Sequence, residues 1–303
     1  MSDHALHERR QRLTGIALMC GAVSCFALLD TTAKYLNLHM STLEVVWARY
    51  TGAFLFPFIV SNPWTRPGLV HTPRPFLQVG RSMLLLASTM TNFLALRYLQ
   101  LDQTVSISFS TPFFVAALSG PILGEWVRWR RWTAIAVGFV GVLVVTRPTP
   151  ASFQPAALLS LAGAVCYALY ALSTRILART DSNETTLFYS NLVGFLALMP
   201  VVPFVWTTPG DVLVIALMVA TGAIGSFGHY LLIAAHRLAP AAVLSPFIYT
   251  EIVLVTALGF LVFGDVPNRF TLTGAAIVVA SGLYLLHRER KVRGTQESAV
   301  SDF

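Results

Sequence analysis

Ionisable side chains lie inside stretches of this chain that are otherwise apolar. Asp30 and Lys34 are four residues apart, a spacing that places them on one helical face, where they can pair. Arg49 and Glu251 each interrupt another apolar stretch. A charge at the centre of a membrane helix costs about 2.5–3.5 kcal/mol on insertion scales, so such residues usually face a protein interior or a wet cavity. These four residues therefore predict a polar cavity inside a helical bundle.

The composition indicates a membrane protein. Of the 303 residues, 55% are hydrophobic and only 12% are charged, whereas soluble domains average about 25% charged residues. The net charge of +7 could suggest a nucleic-acid partner. The basic residues, however, lie in short links between apolar runs, so we expect no nucleic-acid binding. Cys20, Cys25 and Cys166 have no metal-binding spacing and are predicted to be packing residues. We expect neither a metal nor a cofactor.

The apolar residues predict an all-α polytopic membrane protein with ten transmembrane helices. The segments are roughly 13–36, 43–61, 77–97, 103–123, 132–147, 155–177, 185–206, 211–235, 241–263 and 270–287. If both termini are cytoplasmic, fifteen basic residues face the cytoplasm, and only Arg97, Arg147 and Arg269 face the opposite side. This bias predicts that both termini are cytoplasmic. Residues 1–12 form a basic head and residues 288–303 a basic tail, and we expect both to be frayed.

An internal repeat divides the helices into two halves, 13–147 and 155–287. The sequence GAV at 21–23 recurs at 163–165, and RYLQLDQTVSIS (97–108) resembles HRLAPAAVLSPF (236–247). Within these blocks Thr111 corresponds to Thr250, and the Gly-Glu at 124–125 corresponds to the Gly-Asp at 264–265. Five helices are an odd number, so the second half enters the membrane inverted. Inverted repeats are typical of secondary transporters, whose substrate site lies near the midplane between the halves.

Two longer blocks carry a resemblance to a known family. ALRYLQLDQTVSISFSTPFFVAALSGPILGE (95–125) is similar to the fourth-helix signature of the EamA family, in the drug/metabolite transporter superfamily. RLAPAAVLSPFIYTEIVLVTALGFLVFGD (237–265) resembles its counterpart in the second half, with Ile252 where proline is common and Asp265 replacing the closing Glu. The resemblance implies two inverted five-helix repeats around a central cavity. It leaves the substrate open.

Lys34 and Arg49 are predicted to contact an anionic or zwitterionic group of a substrate. Asp30 would then orient Lys34 or contact a substrate amine. With the first helix running outward and the second running back, these charges fall at a similar depth near the outer mouth. The alternative is an internal ion-pair network that holds the first two helices together, because structural networks also place charges in protein interiors.

Glu251 is predicted to lie near the midplane, about ten residues into the ninth helix. An isolated carboxyl group in an apolar medium favours its protonated form. This behaviour suits a group that takes up and releases a proton as the cavity changes sides, or one that holds a cationic substrate. The alternative is a neutral carboxyl group that is hydrogen-bonded to a neighbouring helix.

Other residues are candidates for substrate binding. Tyr167 and Tyr170 share a face of the sixth helix and could stack on a planar substrate. The remaining polar candidates for substrate binding are Thr111, Asn191, His229 and Tyr249. For tyrosines the alternative is an interfacial position, and for a lone histidine it is a structural role.

Prolines mark the positions where helices are predicted to break, and glycines mark the positions where helices are predicted to pack closely. Pro112 lacks an N–H and should break the fourth helix near Ser108, with Pro246 a counterpart in the ninth. The break is either a static kink or a moving hinge. Arg81 is a candidate for an inner gate. The eighth-helix glycines are predicted to pack against other helices, namely Gly222, Gly225 and Gly228.

These residues together predict a carrier in the bacterial cytoplasmic (inner) membrane that moves a small polar organic metabolite by alternating access. The expected partners are the substrate, the lipid bilayer and a second copy of the chain. The family resemblance suggests that the second copy would bind through the fifth and tenth helices, and Gly138 and Gly141 lie in the fifth. An intramembrane enzyme is one alternative, but Ser226 and His229 on one helix are a poor nucleophile and base. A channel-like facilitator is the other, although channels usually assemble rings of like groups by symmetry.

Overall fold

The computed structural model describes residues 3–60, 64, 66–124, 129–147, 154–239, 244 and 247–284, and every regular element in these ranges is helical. The elements are α1 (Asp3–Leu36), α2 (Thr42–Val60), a 3₁₀ turn (Pro67–Val70), α3 (Pro75–Leu96), α4 (Leu101–Ser108), α5 (Thr111–Leu123), α6 (Trp129–Thr146), α7 (Ala156–Leu177), α8 (Asn183–Leu198), α9 (Val202–Val205), α10 (Val212–Leu238), α11 (Glu251–Phe263) and α12 (Arg269–Tyr284).

Five stretches of the described chain are helical, long and apolar enough to cross a membrane. They are Arg10–Leu36, Pro75–Leu96, Leu101–Leu123, Ala156–Leu177 and Val212–Leu238. Shorter apolar helices include Ile135–Thr146, Glu251–Phe263 and Arg269–Tyr284. The all-helical class is therefore as predicted, while the count of ten transmembrane helices stays a prediction.

The N-terminal head differs from its predicted state. We expected the basic head to be frayed, but α1 is continuous from Asp3 to Leu36. The reason is that no helix-breaking residue separates the head from the first apolar segment. The tail at 288–303 lies outside the described residues, as do Glu125 and Pro246.

Each half packs on the other through the same pairs of corresponding helices. In the first half α1 packs along α10, and in the second half its counterpart α7 packs along α3. In the same way α2 packs on α10, and its counterpart α8 packs on α3. Matching contacts of this kind are expected when the two halves are related by a two-fold axis.

Glycines allow the closest helix contacts. A Cβ added to Gly222 of α10 would collide with the Cα of Gly52 in α2, and one added to Gly228 would lie 3.0 Å from the Cβ of Cys25 in α1. The predicted packing role of these two α10 glycines is thus confirmed. Gly141 of α6 packs against Gly274 of α12, and Gly138 lies under the Phe113 ring. The glycine face suggested for a dimer contact is therefore occupied within the chain.

Two helices are broken at corresponding places. α4 ends at Ser108 and α5 begins at Thr111, whose hydroxyl donates to the Ser108 carbonyl over 2.7 Å. In the second half the Thr250 hydroxyl donates to the Phe247 carbonyl over 2.6 Å, and α11 begins at the next residue. The break predicted at Pro112 is confirmed. The side chain of Thr111 satisfies the carbonyl group that the break frees.

Both broken helices also end in the same way. Gly124 closes α5 with φ of 74°, and Gly264 closes α11 with φ of 70°. Each N–H bonds back to the preceding turn, to the carbonyl of Gly120 or of Phe260. Glycine adopts this left-handed conformation without the steric cost that a Cβ imposes.

The bundle has two ends, which are named here by a charged residue at each. At the Lys34 end α1 passes into α2, and α11 finishes at Phe263. At the Arg66 end α2 passes into α3, and α8 begins at Asn183. The Ser182 hydroxyl caps α8 by accepting from the Thr185 N–H over 3.0 Å, which fixes the start of α8.

Candidate substrate-binding site

A cavity of about 330 Å³ runs from the middle of the bundle to the Arg66 end. Its deep part is polar and is lined by Arg49 of α2, Asn191 of α8 and Ser226 and His229 of α10. Its mouth is lined by Arg66 and Glu184. The close contact of Gly52 with Gly222 brings α2 and α10 together at the deep end.

Arg49 is the central cation of this cavity. Its Nη1 donates to the Thr89 hydroxyl over 3.2 Å, and its guanidinium carbon lies 5.1 Å from the centroid of the Tyr50 ring. Among the described residues, its Nε has no hydrogen-bond partner and no carboxylate lies within salt-bridge distance. A guanidinium carries five N–H donors in a fork that matches a carboxylate. Arg49 therefore has donors left for a bound anion.

An acidic pair from two other helices is coupled to this cation through Asp30. Asp30 of α1 interacts electrostatically with both Arg49 and Glu251, and its Oδ1 accepts from the Asn92 amide over 3.5 Å. Glu251 is the first residue of α11, beside the positive end of that helix. Residues 244, 247 and 248 are helical as well, so Glu251 lies inside the predicted ninth segment, directly after a break at 249–250. The structure thus links Asp30 electrostatically to Arg49 and to Glu251.

Aromatic residues surround the charges. The rings of Tyr167 and Tyr170 are 5.4 Å apart on α7, and Tyr167 interacts electrostatically with Arg49 and Glu251. Tyr167 keeps 40% of its surface accessible. His229 packs on Phe26 of α1 with ring centroids 5.1 Å apart. These contacts place two tyrosines and a histidine around the Arg49 site.

Asn191 closes one wall of the cavity. Its amide donates to the Ala53 carbonyl over 3.1 Å, which links α8 to α2. The amide oxygen is free of that bond and can accept another hydrogen bond. Asn191, a predicted binding residue of the seventh helix, thus lines the same cavity as Arg49.

Lys34 has a different partner from the one expected. The spacing on α1 suggested pairing with Asp30, but Lys34 Nζ bonds to Asp265 Oδ2 over 2.6 Å and lies 4.7 Å from the Phe263 ring centroid. Lys34 is one turn beyond Asp30 towards the end of α1, where α11 also ends, so its ammonium meets α11 instead. The ion pair is largely buried, with side-chain exposures of 12% and 23%. Asp102 of α4 interacts electrostatically with both partners.

Further hydrogen bonds cross the Lys34 end. The Glu44 carboxylate accepts from the Thr207 N–H over 2.6 Å and from the Ser41 N–H over 2.8 Å. The Asn37 amide donates to the Phe93 carbonyl over 2.7 Å, which links α1 to α3. These contacts tie the helix ends together on this side of the bundle.

Arg81 is enclosed by three helices and is only 1% exposed. It donates to the Thr174 hydroxyl over 2.9 Å and to the Thr186 carbonyl over 2.7 Å. It also donates to the Ser190 hydroxyl, and its guanidinium carbon lies 4.7 Å from the Tyr170 ring centroid. Arg81 therefore joins α3 to α7 and α8 beside the cavity wall.

Two predicted binding residues lie elsewhere. Thr111 satisfies the break between α4 and α5, and Pro112 follows it on the exposed surface. Tyr249 packs against Phe109, with ring centroids 5.1 Å apart, and against Gly282 of α12. The structure does not bring Thr111, Pro112 or Tyr249 to the lining of the Arg49 cavity.

The mouth of the cavity carries an exposed ion pair. Arg66 Nη1 bonds to the Glu184 carboxylate at 2.7 and 2.8 Å, and the two side chains are 58% and 56% exposed. Hydrogen bonding to Glu184 raises the pKa of Arg66 above its ordinary value, so the guanidinium stays charged. This pair has no clear signal in the sequence. Its members are 118 residues apart, and charges in polar links are usually solvated.

Sequence reasoning also missed the role of Asp265 and the aromatic lining of the cavity. A signal for Asp265 existed, because it is an acid at the same predicted depth as Lys34. Phe54, Phe58 and Phe188 line the cavity near its mouth. No signal in one sequence separates these phenylalanines from ordinary packing residues, since their spacing is that of any apolar helix face.

Comparison with known proteins agrees with this architecture. The sequence profile of the EamA-like transporter family matches residues 13–147 and 154–286. An S-adenosylmethionine uptake transporter of Rickettsia prowazekii is 28% identical over 281 residues, which cover 92% of this chain and 94% of that protein. A riboflavin transporter of Vibrio cholerae is 27% identical over 293 residues, covering 92% and 95%.

A solved structure shares the fold. A chain described as "Crystal structure of protein" superposes with a TM-score of 0.61 at 16% identity, covering 92% of this chain and 98% of that chain. The matched family and the apolar helices identify an integral membrane protein, and the relatives' names point to transport of a small metabolite and not to an enzyme. The chain belongs to the EamA-like transporter family.

Proposed function

We propose that this protein is a carrier for a zwitterionic metabolite that also bears a cationic centre, with S-adenosylmethionine as the first candidate. The supporting observation is that Arg49 has unused hydrogen-bond donors inside a cavity where it interacts electrostatically with Asp30. Glu251 adds a second carboxylate, so the site offers groups for both signs of charge.

The chemistry of each part suits such a substrate. A carboxylate of the substrate would accept a bidentate pair of hydrogen bonds from Arg49. An ammonium or sulfonium group would lie against Asp30 and Glu251. Tyr167 and Tyr170 would add attraction between their ring faces and the cation. Asn191 and His229 line the same cavity and supply further hydrogen-bonding groups.

Riboflavin is the second candidate, since one of the relatives is a riboflavin transporter. Its ring system carries no charge at neutral pH, so it would bring no carboxylate to the unused donors of Arg49. Leaving buried polar groups unpaired costs binding free energy. The charges around Arg49 therefore favour the zwitterionic candidate.

Alternating access is the proposed mechanism. The cavity opens at the Arg66 end, which the basic residues of the links assign to the cytoplasm together with both termini. At the opposite end Lys34 and Asp265 join α1 to α11, so this ion pair would have to part before the site could face outwards. The breaks before Thr111 and Glu251 are proposed as the flexible points, and Arg81 as the residue that holds α3, α7 and α8 together as one unit.

Transport would be tested with the purified full-length protein in liposomes loaded with unlabelled S-adenosylmethionine. The expected result is saturable uptake of labelled substrate that is faster with internal substrate than without it, and labelled molecules that remain chemically unchanged. Uptake that neither saturates nor responds to internal substrate would favour a channel. A changed product would favour an enzyme. Uptake of riboflavin alone would replace the first candidate with the second.

A further inference from the structure

The part of the cavity nearer the Arg66 end has a different chemistry from the Arg49 part. Phenylalanines of two helices line it, namely Phe54 and Phe58 of α2 and Phe188 of α8. Their rings contact one another: the Phe54 centroid lies 5.0 Å from that of Phe58 and 5.9 Å from that of Phe188. The cavity therefore has a charged section and an aromatic section.

Phe54 is held rigidly in this wall. Its ring stacks on Phe195 with an interplanar angle of 7° and a centroid distance of 5.6 Å. Phe195 stacks in turn on Trp47, which meets the edge of Trp206. Phe195 covers one face of Phe54, and Phe54 also lines the cavity, so part of its ring is open to a ligand. A ring that is already fixed loses little conformational entropy when a second ring stacks on it.

The spacing between the two sections sets the shape of a suitable ligand. Phe54 follows Arg49 by five residues on α2, which is about 7.5 Å along the helix axis. A ligand that binds Arg49 through its charged end would therefore place a group several bonds away against the phenylalanines. A planar heteroaromatic ring is the group that gains most there, since offset stacking adds attraction beyond the burial of apolar area.

We propose that the wall formed by Phe54, Phe58 and Phe188 is a separate subsite for the heteroaromatic ring of the transported metabolite. This inference rests on the proposed function and extends it. The charged end of the substrate binds at Arg49, and the ring binds nearer the mouth. Substrates are then selected by two features together, a charged end and a planar ring at a fixed separation.

The test compares two probes that share the charged end. S-adenosylmethionine has the sulfonium amino acid and a purine ring, whereas S-methylmethionine has a similar sulfonium amino acid without the ring. Binding of each to the purified full-length protein is measured for wild type, Phe54→Leu and Phe188→Leu. Leucine keeps apolar bulk and removes the ring face. Phe139→Leu is the matched control, because Phe139 is exposed on α6 and lines no part of this cavity.

Each cavity variant is expected to weaken S-adenosylmethionine binding by about 3- to 10-fold, the value of one aromatic pair, and to leave S-methylmethionine binding unchanged. Phe139→Leu should change neither. Equal loss of both probes, or loss of neither, would overturn the subsite while leaving the proposed substrate intact. If wild type binds neither S-adenosylmethionine nor riboflavin, the proposed substrate class and the subsite are both rejected.

Discussion

The two ends of the bundle use the same kind of contact in opposite ways. Each end has an ion pair that joins the first half of the chain to the second, Lys34 to Asp265 at one end and Arg66 to Glu184 at the other. The first pair is largely buried and lies where hydrogen bonds of Glu44 and Asn37 also tie helix ends together. The second pair is more than half exposed and lies at the mouth of the cavity.

The difference matters because burial decides what an ion pair can do. An exposed pair contributes about 0–1 kcal/mol, since water screens it. A buried pair costs about 3–5 kcal/mol when one partner alone is removed, because the other charge is left without compensation. The proposed mechanism therefore gives the buried Lys34 pair a closing role, whereas the exposed Arg66 pair is a weak contact.

Arg49→Ala should have the largest effect, because in the proposed mechanism Arg49 binds the substrate whichever side the cavity faces. Removal of a hydrogen-bonded charge from a buried charged contact costs about 2–5 kcal/mol, so transport should fall by about 100-fold. Transport is measured in liposomes at equal protein content. Arg97→Ala, at an exposed position, is the matched arginine control and should transport normally. Normal transport by folded Arg49→Ala protein would remove Arg49 from the site.

Reversing the charges of the Lys34 pair should come next in size. Lys34→Asp or Asp265→Lys alone should slow transport at least about 10-fold, since each leaves like charges facing each other at a buried position. The double variant restores one charge of each sign and should recover most of the rate. If Lys34 instead contacts substrate, as its place among the predicted binding residues implied, the double variant would stay inactive.

Glu251→Gln should abolish proton-coupled accumulation of the substrate without abolishing substrate exchange. Glutamine keeps the size of the side chain and cannot release a proton, so accumulation driven by a pH gradient should be lost while exchange of labelled for unlabelled substrate continues. Both are measured in the same liposomes, with and without the gradient. A variant that keeps gradient-driven accumulation and its pH dependence would show that Glu251 carries no proton.

The smallest effect is expected at the exposed pair. Arg66→Ala and Glu184→Ala should each change the transport rate by less than about 2-fold, because the pair is screened by solvent. The measurement is initial rate at several salt concentrations. A loss as large as that of the Lys34 single variants would mean that the mouth is also a closing contact, and the contrast between the two ends would disappear.

Much of the fold could be predicted, because it rests on local signals. Apolar runs, and a proline after a run of serines, are properties of neighbouring residues, and they placed the α4–α5 break at the right position. The sequence also predicted that Asp30 and Arg49 converge, and the two side chains interact electrostatically in the structure. Charges in apolar stretches need a polar environment, and a single bundle offers few such places.

The parts that could not be predicted depend on long-range geometry. The partner of Lys34 is 231 residues away, and the choice between Asp30 and Asp265 depends on where α11 ends. Glu251 begins α11 five residues beyond Pro246, the place where the sequence predicted a break, so the exact position of that break could not be predicted. Thr111 and Tyr249 belong to the recognised blocks, yet the structure uses them at a helix break and at a packing contact.

The most direct test of the two-ended account is the side from which the cavity can be reached. Ser226 lines the cavity, so Ser226→Cys is made after Cys20, Cys25 and Cys166 are replaced by alanine. A membrane-impermeant thiol reagent is then applied to inverted and to right-side-out membrane vesicles. We predict labelling from the cytoplasmic side, protection by S-adenosylmethionine, and labelling from outside only once Asp265→Asn breaks the buried pair. Equal labelling from both sides without that change would contradict the account.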